Sequence, residues 1–284
     1  MRARGRQERY PMPMNTTTTA IAPLETLSPQ VIRRLDGVLF DRDDTSTTKG
    51  KIPACSFAAL WDLKRAGLRL ILVTGRPAGW CDHIARMWPV DGVVGENGAF
   101  YFWFDGDEGR LRKQFLDPEE VRAGKRERLL KLRDVILRAV PGCAVASDQA
   151  YRESDLAIDY GEDVAPLAAE SVRRICELFV AHGATCKVSS IHVNGWFGDY
   201  DKLQMARRFV EDRFGITLDT SKERFAYCGD SPNDEPMFRY FPMSVGVRNV
   251  LKFTAGMQFP PRFLTESEGG EGFAEFAAHL LLHL

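Results

Sequence analysis

Four short clusters hold most of the side chains able to do chemistry. They are Asp41-Arg42-Asp43-Asp44-Thr45, Val73-Thr74-Gly75-Arg76, Asp201-Lys202 and Gly229-Asp230-Ser231-Pro232-Asn233-Asp234. Carboxylates can hold a hard cation through oxygen, attack an electrophile or carry a proton. A hydroxyl and an ammonium can hold an anion. Each cluster alone also has a plain reading. Acids just past a strand often cap a helix or face water, and Thr-Gly is ordinary turn chemistry. The weight lies in their joint occurrence, and that depends on the elements that position them.

The run 35–41 (LDGVLFD) is apolar and β-prone, and predicts a buried strand ending at Asp41. A helical stretch after Pro53 closes at Gly67, and 68–75 (LRLILVTG) reads as a second buried strand. A helix over 77–88 and a third short strand within 90–99 follow. Three such steps indicate a doubly wound parallel α/β sheet, in which ligands bind at the carboxyl ends of the strands. Asp41 and Thr74 sit at such ends. The pattern then changes. An antiparallel hairpin (99–105 and 110–115), a helix to about Val140, strands near 143–148 and 153–160, a helix over 164–182 and a strand pair within 184–198 predict an α/β insert. The core pattern resumes with a helix stopped by Gly215, a strand at 224–230 ending in an acid, a short helix at 233–241, a strand at 243–247 and a terminal amphipathic helix. The expected organisation is a mobile extension at 1–30, a core formed by 31–99 and 196–284, and an inserted cap at 100–195.

The remaining composition excludes several classes. The 284 residues carry a formal net charge of -1, without the basic bias of a nucleic-acid binder. No apolar run reaches the roughly 20 residues needed to span a bilayer. The start MRARGRQER is followed by no apolar stretch, so it does not read as a secretory signal, and Met12 or Met14 are alternative starts. The six cysteines are scattered, with neither a CxxC pair nor zinc-ligand spacing, and read as small buried side chains in a reducing compartment. The expected location is cytoplasmic. No GxGxxG follows the first strand, which argues against a nucleotide-binding dehydrogenase.

The pattern DxDxT at 41–45, T-G-R at 74–76, Lys202 and GDxxND at 229–234 resembles the four signature motifs of the haloacid dehalogenase (HAD) superfamily, in its phosphatase branch. An insert between the second and third motifs, with ENGA at 96–99 and GGEGFAE at 269–275, resembles subfamily IIB. That branch includes the Cof-type sugar phosphatases and the sucrose-phosphate, trehalose-phosphate and mannosyl-phosphoglycerate phosphatases. The resemblance implies a HAD-like doubly wound core with an inserted α/β cap domain. It implies a Mg²⁺-dependent phosphatase acting on a small phosphorylated metabolite, in particular a sugar phosphate or phosphorylated glycosyl compound, with neither nucleic acid nor membrane as partner. Asp41 becomes the nucleophile that forms an aspartyl-phosphate, and Asp43 the acid and base. Asp41, Asp230 and the backbone carbonyl of Asp43 become metal ligands. Thr74, Gly75 and Lys202 hold the phosphoryl group, and Asn233 and Asp234 hold metal waters and orient Lys202. Neighbouring carboxylates should raise the pKa of Asp43, opposed by the cation.

True dehalogenases lack the second acid of the first motif, so Asp43 favours phosphoryl transfer. Transport ATPases of related chemistry need membrane spans. Arg76 and Asn97 are candidate substrate contacts, as are Arg152, Glu153, Ser154, Asp155, Lys187, Asn194 and Trp196 of the insert. Two positions depart from the family pattern: Asp44 and Leu203 stand where relatives usually have glycine. The alternatives are a phosphomutase of the same fold and a catalytically weak phosphate-metabolite binding protein, the latter favoured only by Asp44.

Overall fold

The computed structural model describes residues 21–284. The part of the expected N-terminal extension at 1–20 lies outside the described residues. Residues 21–30 are not an extension: Ala22–Pro23 pairs as a strand with Phe263–Leu264, and Leu24 and Leu27 are buried.

The strands are β1 (Ala22–Pro23), β2 (Gly37–Phe40), β3 (Arg69–Val73), β4 (Gly92–Gly95), β5 (Phe100–Asp105), β6 (Arg110–Phe115), β7 (Ala144–Val145), β8 (Leu156–Asp159), β9 (Thr185–Val188), β10 (His192–Trp196), β11 (Phe225–Gly229), β12 (Met243–Gly246) and β13 (Phe263–Leu264). Among the described residues they form a nine-stranded sheet, β1-β13-β12-β11-β2-β3-β4-β5-β6, and a four-stranded sheet, β7-β8-β10-β9. The large sheet is parallel from β1 to β4, and the hairpin β5–β6 continues it antiparallel.

Continuous apolar runs suit strands covered on both faces, and β2 is buried throughout. Its residues divide between two cores. Val38 and Phe40 pack with Leu60 and Phe273 on one face, and Leu39 packs with Met205 and Phe209 on the other. The chain passes from β2 through β3 to β4 in one direction and returns through β11, β12 and β13 in the other. This reversal opens a crevice at the carboxyl ends of β2 and β11.

The hairpin 100–115, expected within the insert, belongs instead to the large sheet. Phe100 and Phe102 pack in the core of that sheet, with Phe115 against them. The four-stranded sheet has its own core, where Ile158 and Val193 meet Leu132, Ile136 and Phe179 of the helices Glu119–Ala139 and Ala169–Ala181. Residues alternate across a strand, so the neighbours of Val193, His192 and Asn194, point to the opposite face. There they line a cavity shared with Asp41 and Asp43.

Candidate active site

Asp41 follows β2 directly, and its N–H donates to the carbonyl of Cys228 on β11 at 2.9 Å. The next turn folds back on itself: the Arg42 carbonyl accepts from the Thr47 N–H and from the hydroxyls of Ser46 and Thr47. Asp44 sits there at φ 52°, ψ 14°. This is the left-handed region, which explains why glycine suits the position and why aspartate is tolerated there. The Asp44 carbonyl accepts from Asn249 Nδ2 at 2.9 Å.

Lys202 opens the helix Lys202–Phe214. Asp201 caps it, its carboxylate accepting from the Gln204 N–H at 2.8 Å. The loop 96–98 packs against this turn: Gly98 has φ 111°, and a Cβ there would lie 2.1 Å from the Asp201 carbonyl oxygen. Leu203 is helical and packs on the second core, so glycine is not required. Lys202 is only 1% exposed, and Nζ lies 2.7 Å from both Asp41 Oδ1 and Asp234 Oδ1. Burial alone would lower its pKa, but Asp234 and Asp41 outweigh burial and raise it.

Oxygen atoms of Asp41, Asp230 and Asp234 lie within 4.8 Å of one another. Both oxygens of Asp234 are already committed. Oδ1 accepts from Lys202 and from the Tyr227 hydroxyl at 2.5 Å, and Oδ2 accepts from the N–H groups of Asp230 and Ser231. Among the described residues Asp230 accepts only from neutral donors, Thr45 Oγ1 at 3.1 Å and Asn249 Nδ2 at 3.2 Å. Asp41 Oδ2 has no hydrogen-bond partner among the described residues. The open lone pairs therefore belong to Asp41 and Asp230. Burial is the largest cause raising the pKa of Asp41 to about 7; Lys202 opposes it, and Asp234 and Asp43 add to it. Burial likewise pushes Asp230 well above the carboxylate range, and Asp234 and Asp41 add repulsion. With all three ionised, three buried carboxylates against one ammonium leave an excess of two negative charges, the repulsion that raises Asp41 and Asp230, and the open donors are hard oxygens. This set fits a divalent cation such as Mg²⁺.

Thr74 follows β3 directly, fully buried, and its Oγ1 accepts from the Arg76 N–H at 3.1 Å, which leaves the hydroxyl proton free to donate. Gly75 lines the cavity, and its carbonyl accepts from Arg152 Nη1 at 2.9 Å. Asn233 also lines it, its Oδ1 accepting from Ser231 Oγ. Asn97 is buried against Gly75 at φ 55°, with neither side-chain polar atom partnered. Like Thr74, it lies behind Gly75 and is not among the residues that line the cavity.

Asp43 departs from expectation. Arg76 grips it through Nε (2.8 Å) and Nη2 (3.0 Å), and Arg42 also contacts it. Both guanidiniums stack on Trp80. Burial would raise the pKa of Asp43, but Arg76 and Arg42 outweigh burial and depress it. The expected rise is therefore reversed by cations that folding brings to the carboxylate.

The inserted residues 116–195 contribute more than sequence reasoning found. Arg76 also reaches Asp148 and Glu162; Arg152, fully buried, pairs with Asp148 and Asp155; Asn194 donates to Asp155. Glu96, pushed by burial and then by Asp155 to about 8, accepts from the N–H groups of Ala78, Glu153 and Ser154. Lys187 is exposed, and Trp196 stacks on Tyr200 in the core. Thr45 was legible within the first motif. Asn249, Tyr227, Asp148, Glu162 and His192 carried no local signal.

No family model matches the chain. The fold matches that of solved haloacid dehalogenase-like proteins. The C-terminal domain of trehalose-6-phosphate phosphatase from C. albicans superposes with a TM-score of 0.66 at 14% identity, covering 93% of this chain and 99% of that one. The sucrose-phosphatase of Synechocystis sp. PCC6803, solved with sucrose and phosphate, superposes with a TM-score of 0.58 at 16% identity, covering 87% and 98%. In sequence, the chain is 27% identical over 243 residues to a phosphoglycolate phosphatase of Archaeoglobus fulgidus, covering 84% of this chain and 93% of the relative. Among the described residues no helix is long and apolar enough to cross a membrane.

Proposed function

We propose that the chain is a Mg²⁺-dependent phosphatase of small phosphate monoesters, working through an aspartyl-phosphate on Asp41. The observation that carries this reading is the Asp41 carboxylate. One oxygen is held by Lys202, the other is open, Asp230 lies beside it, and Asp43 follows two residues later over the same cavity. The phosphatase names of the relatives support the reaction class. The sugar phosphates named for two of them keep that substrate class open.

Residues 116–195 act in this reading as a cap over the core. A Mg²⁺ ion held by Asp41 and Asp230, with the Asp43 carbonyl, would neutralise charge between the nucleophile and the phosphate dianion. Lys202 fixes Asp41 and balances its charge, while Asp234 fixes Lys202. Thr74 and Gly75 donate to the phosphoryl oxygens. Asp41 forms a bond to phosphorus as the ester P–O bond breaks, and Asp43 gives a proton to the leaving oxygen. Water then attacks the aspartyl-phosphate, passes its proton to Asp43 and releases phosphate with Asp41 restored. The cavity holds about 20 Å³, enough for about one water, so substrate entry requires the cap to move.

The test is phosphate release from p-nitrophenyl phosphate and a panel of phosphorylated metabolites, with and without Mg²⁺. Turnover should require Mg²⁺ and vanish in Asp41→Asn. Metal-independent turnover, or normal turnover in that variant, overturns the reading.

A further inference from the structure

Arg76 has more partners than the proposed chemistry needs. A guanidinium offers five N–H donors, and three carboxylates take all five. Nε and Nη2 donate to Asp43, Nη1 donates to Asp148 Oδ2 at 3.1 Å, and Glu162 receives one bond from Nη2 (2.6 Å) and one from Nη1 (3.2 Å). The three acids are not equally fixed. Asp43 also contacts Arg42, and Asp148 is shared with buried Arg152. Glu162 keeps 27% of its side chain exposed, against 16% for Asp43 and 6% for Asp148. Its backbone is anchored separately: the N–H groups of Gly161, Glu162 and Asp163 each donate to the Asp159 carboxylate at 2.8 Å. The Glu162 carboxylate can therefore swing out by side-chain rotation while its loop stays in place.

His192 contacts the same carboxylate from β10. Its side chain is buried, and Nε2 lies 2.9 Å from Glu162 Oε2, so the Glu162 carboxylate sits between His192 and Arg76. Two nitrogen-bearing side chains thus flank the position that one carboxylate fills. His192 and Arg76 line the cavity that Asp41 and Asp43 line. Arg76 holds Asp43, which in the proposed reaction meets the leaving oxygen, so both groups stand on the leaving-group side.

We propose that Arg76 and His192 form a seat for a carboxylate carried by the substrate close to its phosphate ester, and that Glu162 occupies this seat until the substrate displaces it. The inference rests on the phosphatase reading and narrows its substrates to short phosphorylated hydroxy acids. Exchanging one carboxylate for another keeps the charge around Arg76 constant. A neutral sugar offers no such exchange and would leave Arg76 short of one anion.

The test compares 2-phosphoglycolate with 2-hydroxyethyl phosphate, which is similar in size but lacks the carboxylate. Affinities are measured by calorimetry on Asp41→Asn protein with Mg²⁺, which requires no turnover. The carboxylate should tighten binding about 10- to 100-fold, the range of charge-assisted hydrogen bonds. Adding His192→Asn should remove most of that preference. Adding Glu162→Gln should tighten 2-phosphoglycolate several-fold and leave 2-hydroxyethyl phosphate within about twofold, since a neutral amide competes less for the seat. Equal affinity for the two ligands overturns the proposal, as does a Glu162→Gln change that weakens both alike, the mark of a purely structural latch. Absent turnover of p-nitrophenyl phosphate by the wild type would defeat the phosphatase reading alone, because the calorimetric preference still decides the seat. If His192→Asn fails to fold, the Glu162→Gln comparison decides it.

Discussion

Lys202→Met removes the ammonium from between Asp41 and Asp234 while keeping most of the side-chain volume. Each contact spans 2.7 Å. At an effective dielectric near 20, a charge pair at this distance is worth about 6 kcal/mol before desolvation. Desolvation of the ammonium offsets much of two such contacts, and removing one member of a buried pair costs about 3–5 kcal/mol. At about 2–4 °C per kcal/mol for a chain near this size, Tm should fall by about 6–20 °C. The activity loss should be larger than the stability loss suggests. Lys202 both positions the nucleophile and faces the phosphoryl charge, so kcat/KM should drop at least about 10²–10³-fold, as for a lost preorganised donor. Mg²⁺ should raise Tm more in the variant than in the wild type, because the carboxylate cluster then holds one more uncompensated charge. Circular dichroism melts and p-nitrophenyl phosphate kinetics, each at several Mg²⁺ concentrations, measure all three quantities. A variant that melts within about 2 °C of the wild type and keeps kcat/KM within about threefold would falsify the charge accounting.

Asp43→Asn should slow hydrolysis of alkyl phosphates by about 10²–10⁴-fold. It should slow the first step on p-nitrophenyl phosphate much less, because nitrophenolate leaves without a proton; a rapid burst of nitrophenol before a slow steady state is the expected trace. Asp44→Gly should leave stability within about 1 kcal/mol, because relief of left-handed strain offsets the entropy that glycine loses on folding. Asp44→Val should cost about 1–3 kcal/mol in urea titrations. For Glu162, burial would raise the pKa, but contacts to His192 and Arg76 outweigh burial and bring it down from 4.5 to about 2. A depressed carboxylate stabilises the fold above its unfolded pKa and loses that effect as pH falls through the folded one. The stability gap between wild type and Glu162→Gln, about 1 kcal/mol after allowance for solvent screening, should hold at pH 6 and close between pH 4.5 and 2.

The strands that carry the site were legible because buried parallel strands read as unbroken apolar runs. Phe40 and Gly229 end such runs, and the next residue in each case is an acid of the candidate site. The helix start at Lys202 and its stop at Gly215 (φ 66°) were legible through local capping chemistry. Three features were not. The hairpin Phe100–Phe115 has the composition of either sheet, and only its pairing of Val93–Gly95 with Phe100–Phe102 assigns it to the large one. β1 is two residues long, too short for any periodicity, and exists because β13 offers it an edge. The ionisation of Asp43 was misjudged because its governing cation, Arg76, lies 33 residues away and is itself fixed by acids further along the chain.

Two buried cations thus perform different duties in the candidate site. The partners of Lys202, Asp41 and Asp234, both stand on loops leaving the large sheet, so the triad survives any movement of the inserted unit. The partners of Arg76 straddle the two units, with Asp43 on one side and Asp148 and Glu162 on the other. Arg76 and Arg42 also occupy both oxygens of Asp43 in this arrangement. Asp43 can reach a leaving oxygen only after one of those contacts gives way. Lifting the inserted unit takes Asp148 and Glu162 from Arg76 and frees the guanidinium to shift. An arriving substrate anion competes for it on closure. The machinery expected to polarise the phosphate can therefore stay rigid, while the group expected to deliver the proton is released by the same movement that admits substrate.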